Sequence, residues 1–147
     1  MSILGEGIQS VFDGEVAAEV QDRFPYGNMV IVETPGVRLP QGLAEQLGIA
    51  AGESLYVLYA HMLAAPEVNL GESVTACQGL GQVGKTGNAA VAHLHLETRI
   101  GPSGRQFPGM AYYFTHATTE ERENYVLWRT SGTFRMIDPM SLLRPGK

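Results

Sequence analysis

Two histidines separated by one residue, His93 and His95, are the sharpest chemical signal in the sequence. Along a β-strand, residues i and i+2 point to the same face. A strand over residues 92–100 therefore projects both imidazoles together. It sets Leu94 and Leu96 on the opposite, core-facing side and continues the polar face with Glu97 and Arg99. A third histidine, His61, stands near the end of the apolar run 54–62, where alternation puts it on the face of Val57 and Tyr59. Imidazole is the commonest metal ligand and the usual general base near neutral pH. Two on one strand face can divide those jobs, one holding a metal while the other handles a proton. A single histidine is more often a surface or satisfied core residue, and it is the combination that points to a site. His116 reads as an exposed loop residue in a Gly- and aromatic-rich stretch. Its folding over the groove, or a move by Asp22, is the one route by which this chain could add another ligand.

Strands must carry these residues. The run 54–62 is apolar on both alternating faces, which predicts a central strand covered on both sides. Residues 29–34 form a β-rich run after a turn at Tyr26-Gly27-Asn28. Residues 8–20 read as two short strands broken by a hairpin signal at Asp13-Gly14. Residues 35–53 are a connection with one helical turn around 43–47. The stretch 70–87 is glycine-punctuated, which suits tight turns and close backbone approach. Its Gly84-Lys85-Thr86-Gly87 lacks the full spacing of a phosphate loop and reads as turns. Thr118 or Thr119 could cap a short helix opening with Glu120, Glu121 and Glu123. Residues 125–130 and 133–137 read as a last hairpin around Ser131-Gly132. The aromatic cluster Tyr112, Tyr113, Phe114 and Trp128 reads mainly as core.

Composition narrows the class. The chain has 147 residues, 44% hydrophobic and 17% charged, which is the mixture of one soluble globular domain. A formal charge of -5 argues against nucleic acid as a partner, which needs a clustered basic surface. Eighteen glycines and eight prolines fit many tight turns between short strands, an all-β class. Cys77 is the only cysteine, so no internal disulfide and no cysteine zinc cluster exists; it reads as a buried packing residue. No apolar run is long enough to span a bilayer. The opening residues 1–7 lack the basic and apolar regions of a signal peptide.

An ordered set of motifs resembles the lysostaphin-type (LytM-like) zinc metallopeptidases. The set comprises Leu58-Tyr59-Ala60-His61-Met62, Gly71-Glu72-Ser73-Val74, the glycine-rich run 79–87 and Ala92-His93-Leu94-His95-Leu96-Glu97. Upstream segments 11–16 and 26–30 and the closing Ile137-Asp138-Pro139-Met140-Ser141-Leu142-Leu143 follow in the family's order. Residues 35–53 and 101–133 look like insertions in a single domain spanning 1–147. The resemblance implies a duplicated hybrid motif, an antiparallel β-sheet sandwich with a histidine-lined groove. It implies a peptidoglycan endopeptidase that acts on cell-wall peptides at the cell envelope. It also implies zinc as cofactor, with His95 as metal ligand and His61 and His93 as catalytic residues flanking the attacked carbonyl. The same fold occurs in sugar-phosphotransferase carriers, so a phosphocarrier histidine is a minor alternative.

The match breaks at one place. The family's remaining zinc ligands come from a His-x-x-x-Asp motif ahead of the segment aligned with 7–11, and no histidine precedes His61. Asp13 belongs to the Asp-Gly turn. A catalytic zinc needs three protein ligands, so this chain is expected to hold no stable zinc and to be inactive by itself. It reads either as the N-terminally incomplete part of a longer enzyme or as a non-catalytic cell-wall or protein-binding module.

Overall fold

The computed structural model describes residues 4–112 and 116–142. Its strands are β1 (Gly7–Gln9), β2 (Gly14–Arg23), β3 (Gly27–Pro35), β4 (Glu53–Met62), β5 (Ser73–Val74), β6 (Gly79–Gln82), β7 (His95–Pro102) and β8 (Arg135–Ile137). Two α-helices accompany them, α1 (Leu43–Leu47) and α2 (Thr119–Arg129). Six strands make one sheet in the order β5-β2-β3-β4-β7-β8, and β1 pairs with β6 apart from it. All of these strand pairs are antiparallel, as the family resemblance implies.

The doubly apolar run becomes the centre of the large sheet. β4 lies between β3 and β7, and every residue from Ser54 to Met62 is buried. One face carries Val57 and Tyr59 into a cluster with Ile8 of β1 and Leu80 of β6. The other carries Tyr56, Leu58 and Ala60 into a cluster with Tyr125 and Trp128 of α2 and with Phe134. The small sheet and α2 thus cover opposite faces of the large one.

Three sequence expectations fail for identifiable reasons. Asp13-Gly14 is not a hairpin, because β1 pairs with β6 while β2 pairs with β3 and β5. The pair marks the place where the chain changes sheets. Thr34 Oγ1 donates to the Asp13 carbonyl at 2.6 Å, and Asp13 Oδ1 accepts from the Ala76 amide at 2.7 Å. A side chain at Gly14 would collide with the Glu33 carbonyl.

The expected last hairpin is half helix. α2 runs to Arg129, and β8 pairs with β7 instead. Tyr125 and Trp128, spaced i and i+3, are its buried residues, a helical stripe with no strand partner to satisfy. Cys77 is exposed, at a positive φ of 71°, in the turn before β6 rather than in the core. Tyr113, Phe114 and Leu143 lie outside the described residues.

The α2 start follows the capping rule. Thr118 accepts from the Glu121 amide at 3.1 Å, and the Glu121 carboxylate accepts from the Thr118 amide at 2.8 Å. This reciprocal box satisfies two amides that the helix cannot. Thr118→Ala should lower stability by about 1 kcal/mol, read as a shift in the urea midpoint at unchanged slope. An unshifted midpoint would mean that docking of α2, not its cap, sets the helix. No helix among the described residues is long and apolar enough to cross a membrane.

Candidate functional site

The register of β4 and β7 sets the site. Ala60 pairs with His95, and Leu58 with Glu97. Directly paired residues of an antiparallel ladder share a face, so His95 and Glu97 sit on the α2 side. β7 begins at His95, and His93 lies just ahead of it rather than within the expected strand. Its imidazole still joins the group.

Alternation alone would send His61 to the opposite face, with Val57 and Tyr59. The structure corrects that expectation. His61 has a positive φ of 59°, and the β3–β4 register shifts between Asn28 and Val30. An irregularity of this kind re-aims a side chain. The next residue, Met62, returns to the Val57 and Tyr59 side. The His61 ring centroid then lies 5.0 Å from that of His93 and 5.5 Å from that of His95. One ligand atom from each of the three rings falls within 4.8 Å of the others.

A left-handed backbone at a residue with Cβ costs roughly 1–2 kcal/mol. His61→Gly and His61→Ala both delete the ring and differ only in that strain. The Gly variant should be the more stable by about 1 kcal/mol, the reverse of the usual strand order. Urea titration of the two variants decides it; an Ala variant of equal or greater stability would remove the strain.

Each ring is tied back by an oxygen that can only accept a hydrogen bond. His61 Nδ1 lies 2.7 Å from the Thr86 carbonyl, and His93 Nδ1 lies 3.0 Å from the Val91 carbonyl. His95 Nε2 lies 2.8 Å from Glu97 Oε2. These partners place a proton on the bonded nitrogen and leave the other one with a free lone pair. The outcome is Nε2 for His61, Nε2 for His93 and Nδ1 for His95. Such outer partners are how proteins fix the tautomer of a metal-ligating or base histidine.

The Thr86 carbonyl is held by two interlocking glycine turns. Gly27 and Gly87 have φ of 72° and 73°. A Cβ at Gly27 would overlap Thr86, and one at Gly87 would overlap Gly27 and the Pro25 carbonyl. Thr86 Oγ1 donates to the Met62 carbonyl at 2.6 Å and accepts from the Asn28 amide at 3.0 Å. The glycine-rich stretch is therefore the shelf on which His61 rests.

Glu97 is the hub beneath the rings. Its Oε2 accepts from Tyr26 at 2.7 Å as well as from His95, and its Oε1 accepts from Trp128 Nε1 at 3.0 Å and from Arg99 Nε at 3.2 Å. Burial pushes this carboxyl up, but the hydrogen bonds from His95 and Tyr26 and the Arg99 charge outweigh it and hold it at about 2. The Tyr26 hydroxyl is pushed far up by burial and by the Glu97 charge. The His61 ring is pushed below its ordinary value, chiefly by burial; the Thr86 carbonyl opposes this, and the neighbouring rings of His95 and His93 add to it. A neutral His61 is able to take a proton at neutral pH.

A cavity of about 190 Å³ opens over these groups, lined by the three histidines together with Tyr26, Glu97 and Arg129. His61, His93 and His95 are thus brought together. His116 and Asp22 are not: they line a different cavity beside Arg23 and Tyr112. Residues 35–53 border neither cavity. The 101–133 stretch supplies one wall through α2. Sequence reasoning placed Glu97 on the histidine face but did not find Tyr26, Thr86, Trp128 or Arg129 around it. The cap at Thr118 signalled the start of this helix; the i, i+3 spacing of Tyr125 and Trp128 could have extended it to the residues that bring the last two.

A sheet face that delivers three oxygen-tethered imidazoles to one cleft has the donor set that can hold a divalent metal or move protons. The particular family is identifiable: the chain belongs to peptidase family M23, whose profile matches residues 2–107. The fold is that of the lysostaphin catalytic domain from Staphylococcus simulans, with 20% identity and a TM-score of 0.54 over 97% of this chain and 74% of that one. A point variant of the catalytic domain of the prophage-encoded M23 protein EnpA from Enterococcus faecalis superposes with a TM-score of 0.50 at 22% identity. That match covers 70% of this chain and 65% of the other, so the chain spans less than two thirds of that relative.

Proposed function

We propose that this domain is a zinc metalloendopeptidase-like unit acting on peptidoglycan peptides at the bacterial cell envelope. Residues 1–147 are read as one domain. The observation that carries the reading is the convergence of three tethered imidazoles in a chain of family M23. The residues fit the metal: His95 presents Nδ1 while the buried Glu97 carboxylate holds Nε2, the usual second partner of a ligating histidine. On this reading His95 holds the zinc, and bound zinc would polarise a carbonyl and bring a water into the neutral pKa range.

His61 and His93 have the other task. Both residues line the cavity, where a peptide carbonyl would lie. The neutral His61 is suited to accept a proton at Nε2, and the Thr86 carbonyl holds the ring in place through Nδ1 and favours the protonated form. A His93 ring that carries a proton on Nε2 as well as on the tethered Nδ1 would donate to the negative charge that develops on the attacked oxygen. Among the described residues no carboxylate joins the three-histidine group. With one ligand from His95, weak zinc binding and little turnover are expected of these residues by themselves.

A second reading keeps the cleft and drops the chemistry, leaving a module that holds cell-wall peptide or a protein without cutting it. Its support is the same one-ligand count. Sedimentation with purified peptidoglycan tests binding, and release of soluble peptides in added zinc tests hydrolysis. Release that vanishes in His95→Ala and His93→Ala supports the enzyme. Sedimentation without release supports the module. Neither would sink both.

A further inference from the structure

Arg129 closes α2 and lines the histidine cavity. Its guanidinium donates to the Tyr125 hydroxyl and lies 5.8 Å from the centre of that ring. This i, i+4 contact supports the last turn of α2 and at the same time keeps the guanidinium at the cleft. The ion pairs among the described residues are Arg23 with Glu121, Arg99 with Glu97, Arg135 with Glu53, and His95 with Glu97. Arg129 is in none of them. Glu97, the carboxylate of this cavity, is bound on its other side by the buried Arg99. Arg129 feels the Glu97 charge without a direct contact, and its guanidinium stands at the cleft of a chain whose net charge is -5. The helix also lies beyond residues 2–107, the stretch that matches the family.

We infer that Arg129 is a specificity residue that binds a carboxylate of the peptide held beside His61, His93 and His95. This rests on the reading of the cleft as a peptide site. Guanidinium presents a planar fork that matches a carboxylate through two parallel hydrogen bonds. Asn88 lines the same cavity and offers an amide to a peptide backbone. A cavity of about 190 Å³ is small, and it suits a single residue that bears a carboxylate rather than a long segment.

The test uses the full chain and two probes, a short alanine peptide with a free C-terminal carboxylate and the same peptide as its C-terminal amide. Calorimetry or histidine NMR shifts report binding without any need for turnover. Wild type should prefer the free acid by about tenfold, the scale of one charge-assisted pair. Arg129→Gln should erase the preference, and Arg129→Lys should keep part of it. Equal affinity for both peptides, no binding of either up to millimolar concentration, or a preference that survives in Arg129→Gln would overturn the inference. Inorganic phosphate is the third arm: displacement of the peptide by equimolar phosphate would overturn the carboxylate assignment in favour of a general anion site. Failure of the underlying peptidase reading shows separately, as wild-type protein that neither sediments with peptidoglycan nor releases peptides from it.

Discussion

Trp128→Ala should lower stability by about 3–5 kcal/mol and open the histidine cleft at the same time. Trp128 is fully buried and heads the largest of the fully buried side chains. It packs edge-on against Tyr56 and Phe107, whose centroids lie 6.3 and 5.8 Å away. Its indole also donates to Glu97 Oε1. Truncation therefore adds a cavity to a lost hydrogen bond on a buried carboxylate. For a chain of this size the melting temperature should fall by roughly 10 °C. Tyr125 and Trp128 are the buried residues of α2, and the remaining ties of the helix, the Arg23–Glu121 pair and the Asn124 bond to the Gly109 carbonyl, lie nearer the surface. Amide exchange should accelerate across 119–129 before the central strands respond. Uniform loss of protection throughout the chain would show that α2 is an integral part of one cooperative core. Trp128→Phe separates the terms, since it keeps most of the packing and removes only the donor.

The same helix shows where sequence and structure part company. The elements set by local chemistry were legible. The strand 54–62 was readable from its double apolar face, the turn at 43–47 coincides with α1, and Thr118 does cap a helix. The set His61, His93 and His95 was legible too, because its residue types and spacing are rare by chance. Tertiary context decided the rest. Asp13-Gly14 carries a hairpin signal, yet strand pairing assigns its two flanks to different sheets. The face of His61 follows from a backbone conformation that alternation does not encode. The residue types of 125–130 suit a strand, but Tyr125 and Trp128 at i and i+3 share a face only in a helix, and that face covers the sheet. Glu97 and Arg99 were placed on the right face, but their burial depends on a segment some thirty residues away in sequence.

That burial makes Glu97→Gln the second large effect. The substitution keeps the shape and removes the charge. Arg99 is 4% exposed and would lose its carboxylate partner. Breaking one side of a buried pair costs about 3–5 kcal/mol. The lower end applies here, because Arg99 also donates to the carbonyls of Phe134 and Arg129 at 3.1 and 3.5 Å. Acid gives the sharper measurement. The Glu97 carboxyl sits at about 2 in the folded chain against an ordinary value of 4.5. A folded value below the unfolded one means that the group stabilises above pH 4.5 and that this contribution fades as pH falls toward 2. Glu53 and Glu121, which Arg135 and Arg23 also hold below the ordinary range, titrate in both proteins and cancel in the comparison. The stability gap between wild type and Glu97→Gln should thus be full at neutral pH and narrow steadily between pH 4.5 and 2. A gap that stays constant through that window would mean that the carboxylate is not ionised against Arg99. The tether that orients His95 would then rest on a neutral acid.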